Sequence, residues 1–524
     1  MFDDGTIRNH RWLRRGAISA AGCLLIILAA SGEARLNGAP AAQALGRVRM
    51  KAVLRELIDF MSIPNVSTDR KNIQRNARQL AEMMRKRGIE SRILEIEGGP
   101  PLVAGELRTP GAKKTLLIYA HYDGQPVDPS DWKSDPWKPV LRTGTIAAGG
   151  LTAGLVGISP DRSGEWRLYG RSASDDKGAI VAALAALDVL KERKKPLSVN
   201  VRYLFEGEEE KGSPHLQAFL LGKPDLFKAD GMILCDGPVH QTRRPMIVFG
   251  ARGVLDLEMT VFGPDRPLHS GHYGNWAPNP AAVLSRILAS LRADDGTINI
   301  PGFYDDVRPL SEDEKLAIAA VPAVDEELRR EFKLAWSEAD GARLEERIMR
   351  PALNIRGLSS GNVGARAQNA VPAEATVSID FRLVPDQSPA RVRDLVERAV
   401  RAMGYEIVDG ELSEEQRKQA PKFVRMAWEG GYPGYREPMD SPFSRALVRT
   451  LDAATGGRLV RMPASGGSIP MEMFARVLRL PIALFPIANH DNNQHGQDEN
   501  IRLQNLWEGV EMHAALLAGL GADW

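Results

Sequence analysis

The side chains in this chain best suited to chemistry are imidazoles and carboxylates gathered into five short clusters. They are Ala120-His121-Tyr122-Asp123-Gly124, Gly170-Arg-Ser-Ala-Ser-Asp175-Asp176-Lys177-Gly178, Glu206-Gly207-Glu208-Glu209-Glu210-Lys211-Gly212-Ser213, Asp236 after Ile233-Leu234-Cys235, and His490-Asp-Asn-Asn-Gln-His495-Gly-Gln-Asp-Glu499. Taken singly, each has an ordinary structural reading. A histidine after a strand is commonly structural, and a run such as Glu208-Glu209-Glu210 is commonly a solvated face. Asp-Asp-Lys-Gly can simply cap a helix, where an aspartate accepts from free backbone N–H groups. Taken together they imply something else. Histidines and carboxylates converging at one sheet edge would repel strongly, and bound divalent cations relieve that repulsion. A mixed imidazole and carboxylate set suits zinc.

The clusters must be placed by the elements before them. Thr115–Ala120 is a short apolar run, as expected of a strand buried on both faces. Ser198–Phe205, Gly231–Cys235 and Ile482–Phe485 read the same way. Arg47–Met61 and Ile73–Arg87 have helical periodicity, and Ala179–Lys191 is an Ala- and Leu-rich helix. Strands alternating with helices indicate a mostly parallel α/β sheet, and open sheets of that kind carry their active groups at the strand ends. From about Met246 the pattern changes. Ile247–Phe262, Ala375–Leu383 and Lys422–Trp428 alternate as half-exposed strands do. The expected organisation is an α/β catalytic domain, 45–247 and 436–524, interrupted by an inserted α+β lid or dimerisation domain, 248–435.

At 524 residues the chain suits more than one domain. A formal net charge of +1 gives no global electrostatic case for nucleic acid or acidic membranes. Its two cysteines, Cys23 and Cys235, cannot make a disulfide framework. Cys235 reads as a small buried strand residue and has no histidine near it in sequence. At the N-terminus, Arg8 to Arg15 is basic and Ala17–Ala30 is mostly apolar, too short for an ordinary membrane span. Residues 1–44 therefore read as a signal peptide, with an uncleaved anchor as the alternative. The expectation is an exported protein, periplasmic or secreted, and membrane-attached only if that segment stays uncleaved.

With these clusters in order, the chain after residue 45 resembles the two-zinc peptidases that include carnosine dipeptidases, carboxypeptidase G, aminoacylases and succinyl-diaminopimelate desuccinylase (peptidase family M-twenty). His121-Tyr-Asp-Gly-Gln-Pro126, Gly170-Arg171 and Arg382-Leu-Val-Pro385 are closest to its dipeptidase branch. The resemblance implies two zinc ions per subunit, with cobalt or manganese able to use the same ligands. Asp175 would bridge the metals, His121 and Asp236 would complete one site, and Glu210 and His495 the other. Asp123 would orient His121, and Glu209 would be the general base. A cis peptide is implied between Asp175 and Asp176. Arg382, Gly467 and Ser468, the last two in Gly466-Gly-Ser-Ile-Pro470, would bind a substrate carboxylate. His269 and, on weaker grounds, Asn369 would reach the site of a partner subunit, which implies a homodimer.

Departures from the family pattern fall at Gly124, where many members have valine, and at Gly496 and Asp498, where the usual tail has serine and asparagine. They remove no ligand and bear on substrate details. His490 competes with His495, but only His495 has a glutamate four residues on. His272 is a lesser competitor for His269, while His215, His240 and His513 have no such support. The implied activity is hydrolysis of dipeptides or short peptides with a free C-terminal carboxylate. The same centre would serve a deacylase of N-acyl amino acids. A binding protein on this fold would have lost ligands or base, and every one of those positions is filled.

Overall fold

The computed structural model describes residues 39–339, 341–419 and 422–524. Its main sheet has eight strands, in the order Glu90–Leu94, Leu102–Leu107, Asn200–Glu206, Thr115–His121, Gly231–Leu234, Ile482–Leu484, Met246–Val248 and Val460–Met462. The four strands from Asn200–Glu206 to Ile482–Leu484 run parallel. The first two strands are joined on antiparallel.

Strand alternation explains the layers. Leu116, Ile118 and Ala120 point into one apolar cluster, packed with the helices Ala39–Met61, Lys177–Glu192 and Leu503–Asp523. Leu117 and Tyr119 point into the opposite one, with Leu216–Gly222 and Met471–Leu478. A strand buried on both faces needs apolar residues at successive positions, which is why Thr115–Ala120 reads as an unbroken run. The first helix is broken at Gly46, whose φ of 69° is left-handed. Among the described residues no helix is long and apolar enough to cross a membrane, and the apolar segment Ala17–Ala30 lies outside them.

A second sheet orders Ala352–Ser359, Glu374–Leu383, Gly250–Phe262, Lys422–Tyr432 and Tyr405–Val408. Here one face is covered. Leu255, Leu257, Met259 and Val261 enter a core with the helices Pro280–Leu291 and Pro389–Ala402, while Arg252, Val254, Asp256 and Glu258 take the other face. This is the inserted unit expected from the change in periodicity. Gly250–Phe262 also pairs with Tyr435–Arg436 and Ser465–Ser468, which ties the inserted sheet to the segment returning to the main unit. The tie is close. A Cβ at Gly253 would lie 2.2 Å from the Tyr432 carbonyl oxygen, so only glycine fits there.

Candidate active site

Parallel neighbours end at one edge, and the polar clusters follow those ends. His121 is in register with Glu206, and Tyr119 with Leu234. The chain beyond Glu206 delivers Glu209 and Glu210, and the chain beyond Leu234 delivers Asp236. Gly207 lets the first of these turns cross Tyr122, since a Cβ would lie 2.5 Å from the Tyr122 hydroxyl. Asp175 arrives from the loop that opens the helix Lys177–Glu192, and the Asp175-Asp176 peptide is cis. His495 arrives from the loop after Ile482–Leu484.

These side chains meet. His121, Asp175 and Asp236 form one group, and Asp175, Glu210 and His495 a second, with the donor atoms of each within 4.8 Å of one another. Asp175 belongs to both. Its Oδ1 lies 2.9 Å from His121 Nε2, and its Oδ2 lies 3.1 Å from His495 Nε2. Glu210 Oε2 is 3.2 Å from the same His495 nitrogen. Although close, His121 Nε2, both Asp175 oxygens and Asp236 Oδ1 are buried without a hydrogen-bond partner. Buried polar atoms are rarely left so. Lone pairs aimed at a common point instead of at one another are what a cation needs. This donor set therefore fits two divalent cations sharing Asp175, and imidazole with carboxylate suits zinc-like ions.

The surroundings hold this arrangement. Asp123 lies 3.4 Å from His121 Nδ1 and accepts from the Glu209 and Glu210 N–H groups, at 3.2 and 3.3 Å. One carboxylate thus anchors the Glu209-Glu210 turn and faces the His121 imidazole. Gln125 Nε2 donates to Glu210 Oε2 at 2.7 Å. Asp176 occupies the N-cap of Lys177–Glu192, but its side chain caps nothing and accepts from the His121 N–H. Glu499 is fully buried. It accepts from Arg171 Nη1, Ser172 N–H, Ser174 N–H and hydroxyl, and Asp175 N–H, all between 2.8 and 3.0 Å. Glu499→Ala leaves Arg171 buried and unpaired, so it should cost about 3–5 kcal/mol of stability. A lowered urea midpoint of the metal-free protein checks this, and an unchanged midpoint contradicts it.

The crowding of carboxylates also sets their basicity. Burial, and then the charges of Asp236, Asp175 and Glu206, push Glu209 well above the usual carboxylate range against the opposing pull of His121. Burial and Asp175 raise Asp236 to about 6. The adjoining Asp175 and Glu210 carboxylates raise His495 to about 10. A proton on a ligand competes with a cation, so these shifts mark where positive charge is wanted.

The residues expected on the substrate side assemble separately. Arg382 Nε binds Asp380 Oδ2 at 2.9 Å, and its Nη1 donates to Ser468 Oγ at 2.8 Å. Gly467 lies exposed beside Ser468. Tyr432 was not singled out in the sequence. It and Arg382 pair with Val254 from opposite sides, and burial, then the Glu209 charge, raise its phenol to about 12. Tyr432 thus lies near both Glu209 and Arg382, placed there by a bulge at Gly430-Gly431 that no periodicity reveals. His269 and Asn369 are exposed on the short ladder pairing Leu268–His269 with Ala370–Val371, outside the carboxylate cluster.

Other readings resolve as follows. His490 takes part in neither group. Glu208, read singly as part of a solvated run, is buried and holds His215 Nδ1 at 2.9 Å. Cys235 is buried with His513 Nε2 at 3.4 Å, and burial raises the thiol far above its ordinary range, so it is no nucleophile. Gly357-Leu-Ser-Ser-Gly361, not singled out in the sequence, matches the Gly-x-Ser-x-Gly pattern of serine hydrolases, but Ser359 ends an exposed strand that only a three-residue 3-10 turn follows, so there is no nucleophile elbow.

A sheet-edge cluster of this composition, with the buried Glu209 carboxylate beside it, fits a metal-dependent hydrolase. The chain belongs to peptidase family M20/M25/M40, whose sequence profile matches residues 117–519. It is 29% identical to a Cys-Gly metallodipeptidase of Candida albicans over 420 residues, covering 79% of this chain and 80% of the relative. It is 28% identical to the Beta-Ala-His dipeptidase of Homo sapiens over 426 residues, covering 79% and 76%. Among solved structures, an M20 family metallo-carboxypeptidase from Sulfolobus solfataricus superposes with a TM-score of 0.70 at 29% identity, over 90% of this chain and 99% of that one. The protein is a peptidase of a dinuclear metal-binding family. The expectation of an exported protein with a signal peptide or anchor is corrected by these relatives, because the yeast Cys-Gly metallodipeptidases are cytosolic. The basic-then-apolar N-terminal pattern that suggested export lies outside the described residues.

Proposed function

We propose that the protein is a zinc-dependent dipeptidase acting on dipeptides or short peptides with a free C-terminal carboxylate. The observation that carries this reading is the pair of donor groups sharing Asp175, with Glu209 beside them. The dipeptidase names of the relatives support the substrate class. His121, Asp175 and Asp236 would hold one cation, and Asp175, Glu210 and His495 the other. Zinc fits this donor set, and cobalt or manganese would use the same residues. When bound, the ions supply Lewis-acid polarisation of the scissile carbonyl and an acidified water. Glu209 takes the proton of the attacking water and passes it to the leaving amine. Asp123 holds the Glu209 backbone in place. Arg382, with Ser468 and the Gly467 backbone, anchors the substrate carboxylate through a planar fork of N–H donors.

The proposed assembly is a homodimer through the inserted unit. His269, exposed and apart from the cluster of its own chain, would donate to the developing oxyanion in the partner's site, with Asn369 beside it. The edge strand Ala352–Ser359 supports a covered surface there, since Ile355 and Leu358 are 42% and 61% exposed. Mixing inactive His269→Ala with inactive Glu209→Gln subunits should restore activity, because one site of each mixed dimer keeps both residues. No rescue despite demonstrated subunit exchange would sink the shared site.

Hydrolysis of dipeptides beside matching N-acetyl amino acids, with chelator and with added zinc, tests the function. Zinc-dependent cleavage of the dipeptides is expected. Cleavage of the acyl amino acids alone would make the protein a deacylase instead.

A further inference from the structure

On the uncovered face of the inserted sheet, one arginine, Arg252, stands without an ion-pair partner among the described residues. Arg382, Val254 and Tyr432 form a row across this face, and Arg252 lies two residues along the strand from Val254. Arg252 is in register with Ser468, and its Nε donates to the Gly466 carbonyl at 3.0 Å. The neighbouring arginines are compensated. Arg382 has Asp380 at 2.9 Å, and Arg356 has Asp256 at 2.9 Å. Burial together with the Arg382 charge lowers the Arg252 guanidinium to about 10, against the weaker opposing pull of Asp380, which is ion-paired to Arg382. A partly buried cation without a partner is costly, and a carboxylate within reach of its remaining N–H groups removes that cost.

There is also room for more than a carboxylate. Arg252 borders a cavity of about 350 Å³ that Ala352, the register partner of Arg382, also lines. Its described charged lining is four arginines, at 252, 292, 329 and 347, against Asp325 and Glu338. Apolar walls come from residues such as Ile348 and Phe332.

We propose that Arg252 is a specificity residue that receives the acidic side chain of a C-terminal Asp or Glu of the substrate, in this cavity, while Arg382 and Ser468 hold the α-carboxylate. The inference rests on the dipeptidase reading and names the substrate class for that site. It is tested on the zinc-loaded full chain with Ala-Glu, Ala-Gln and Ala-Ala. Wild type should favour Ala-Glu over Ala-Gln by about tenfold or more in kcat/KM. Arg252→Gln should bring that ratio to about one, chiefly through the KM for Ala-Glu. Arg252→Lys, which keeps the charge without the planar fork, should retain part of the preference. A wild-type ratio of one overturns the proposal, whether or not the variants fold. An equal loss on both substrates in Arg252→Gln also overturns it, by placing Arg252 in the α-carboxylate clamp. Cleavage of none of the three by wild type would instead defeat the dipeptidase reading beneath it.

Discussion

Glu209→Gln is expected to keep two metals per chain and to lose on the order of 10²–10⁴-fold in kcat, the usual worth of a positioned general base. The substitution preserves shape and removes only the ability to take a proton. Nothing that holds the metal donors depends on the Glu209 carboxylate. Its backbone is fixed through Asp123, and the donor groups are built from other side chains. Its raised basicity has a structural cause in burial and in the facing carboxylates Asp236 and Asp175. Removing a negative charge from that crowd also lessens repulsion, so the variant should fold. Metal content by elemental analysis alongside kcat on a cleaved dipeptide checks the expectation. Near-normal turnover would show that the proton goes elsewhere.

Asp175→Ala should do more, because one carboxylate serves both groups. Its oxygens face His121 on one side and His495 on the other. Without it each group keeps only two donors, too few for a tight zinc site. Both metals should be lost on dialysis and activity should fall below about 10⁻⁴ of wild type. Asp236→Ala is the internal contrast, because it strips a donor from the His121 group alone. Tight binding of one metal should survive in it. Retention of both metals in Asp175→Ala, with near-UV circular dichroism showing a folded chain, would contradict the bridging role.

Much of this was legible in the sequence, for physical reasons. Strands buried on both faces must be continuously apolar, so Thr115–Ala120 and Gly231–Cys235 announce themselves, and the polar residues after them fall at the sheet edge. The inserted sheet is equally visible, because its strand Gly250–Phe262 has one covered face and so alternates. What escaped depends on contacts between distant segments. Glu499 gathers the loop around Asp175 from 324 residues away, and nothing in its spacing from His495 reveals that. Arg252 and Tyr432 matter only because two strands bring them beside Arg382. Glu208 carries the same charge in sequence whether solvated or buried against His215. The short strands Val140–Arg142 and Arg167–Tyr169 have three residues each, too few to display a period.

Two metals sharing Asp175 would make this chain a peptidase, and the most direct test is to titrate zinc into the metal-free protein while following bound metal and dipeptide hydrolysis together. Activity should rise to a plateau at two equivalents per chain. A plateau at one equivalent, or hydrolysis that persists without metal, would contradict the shared centre.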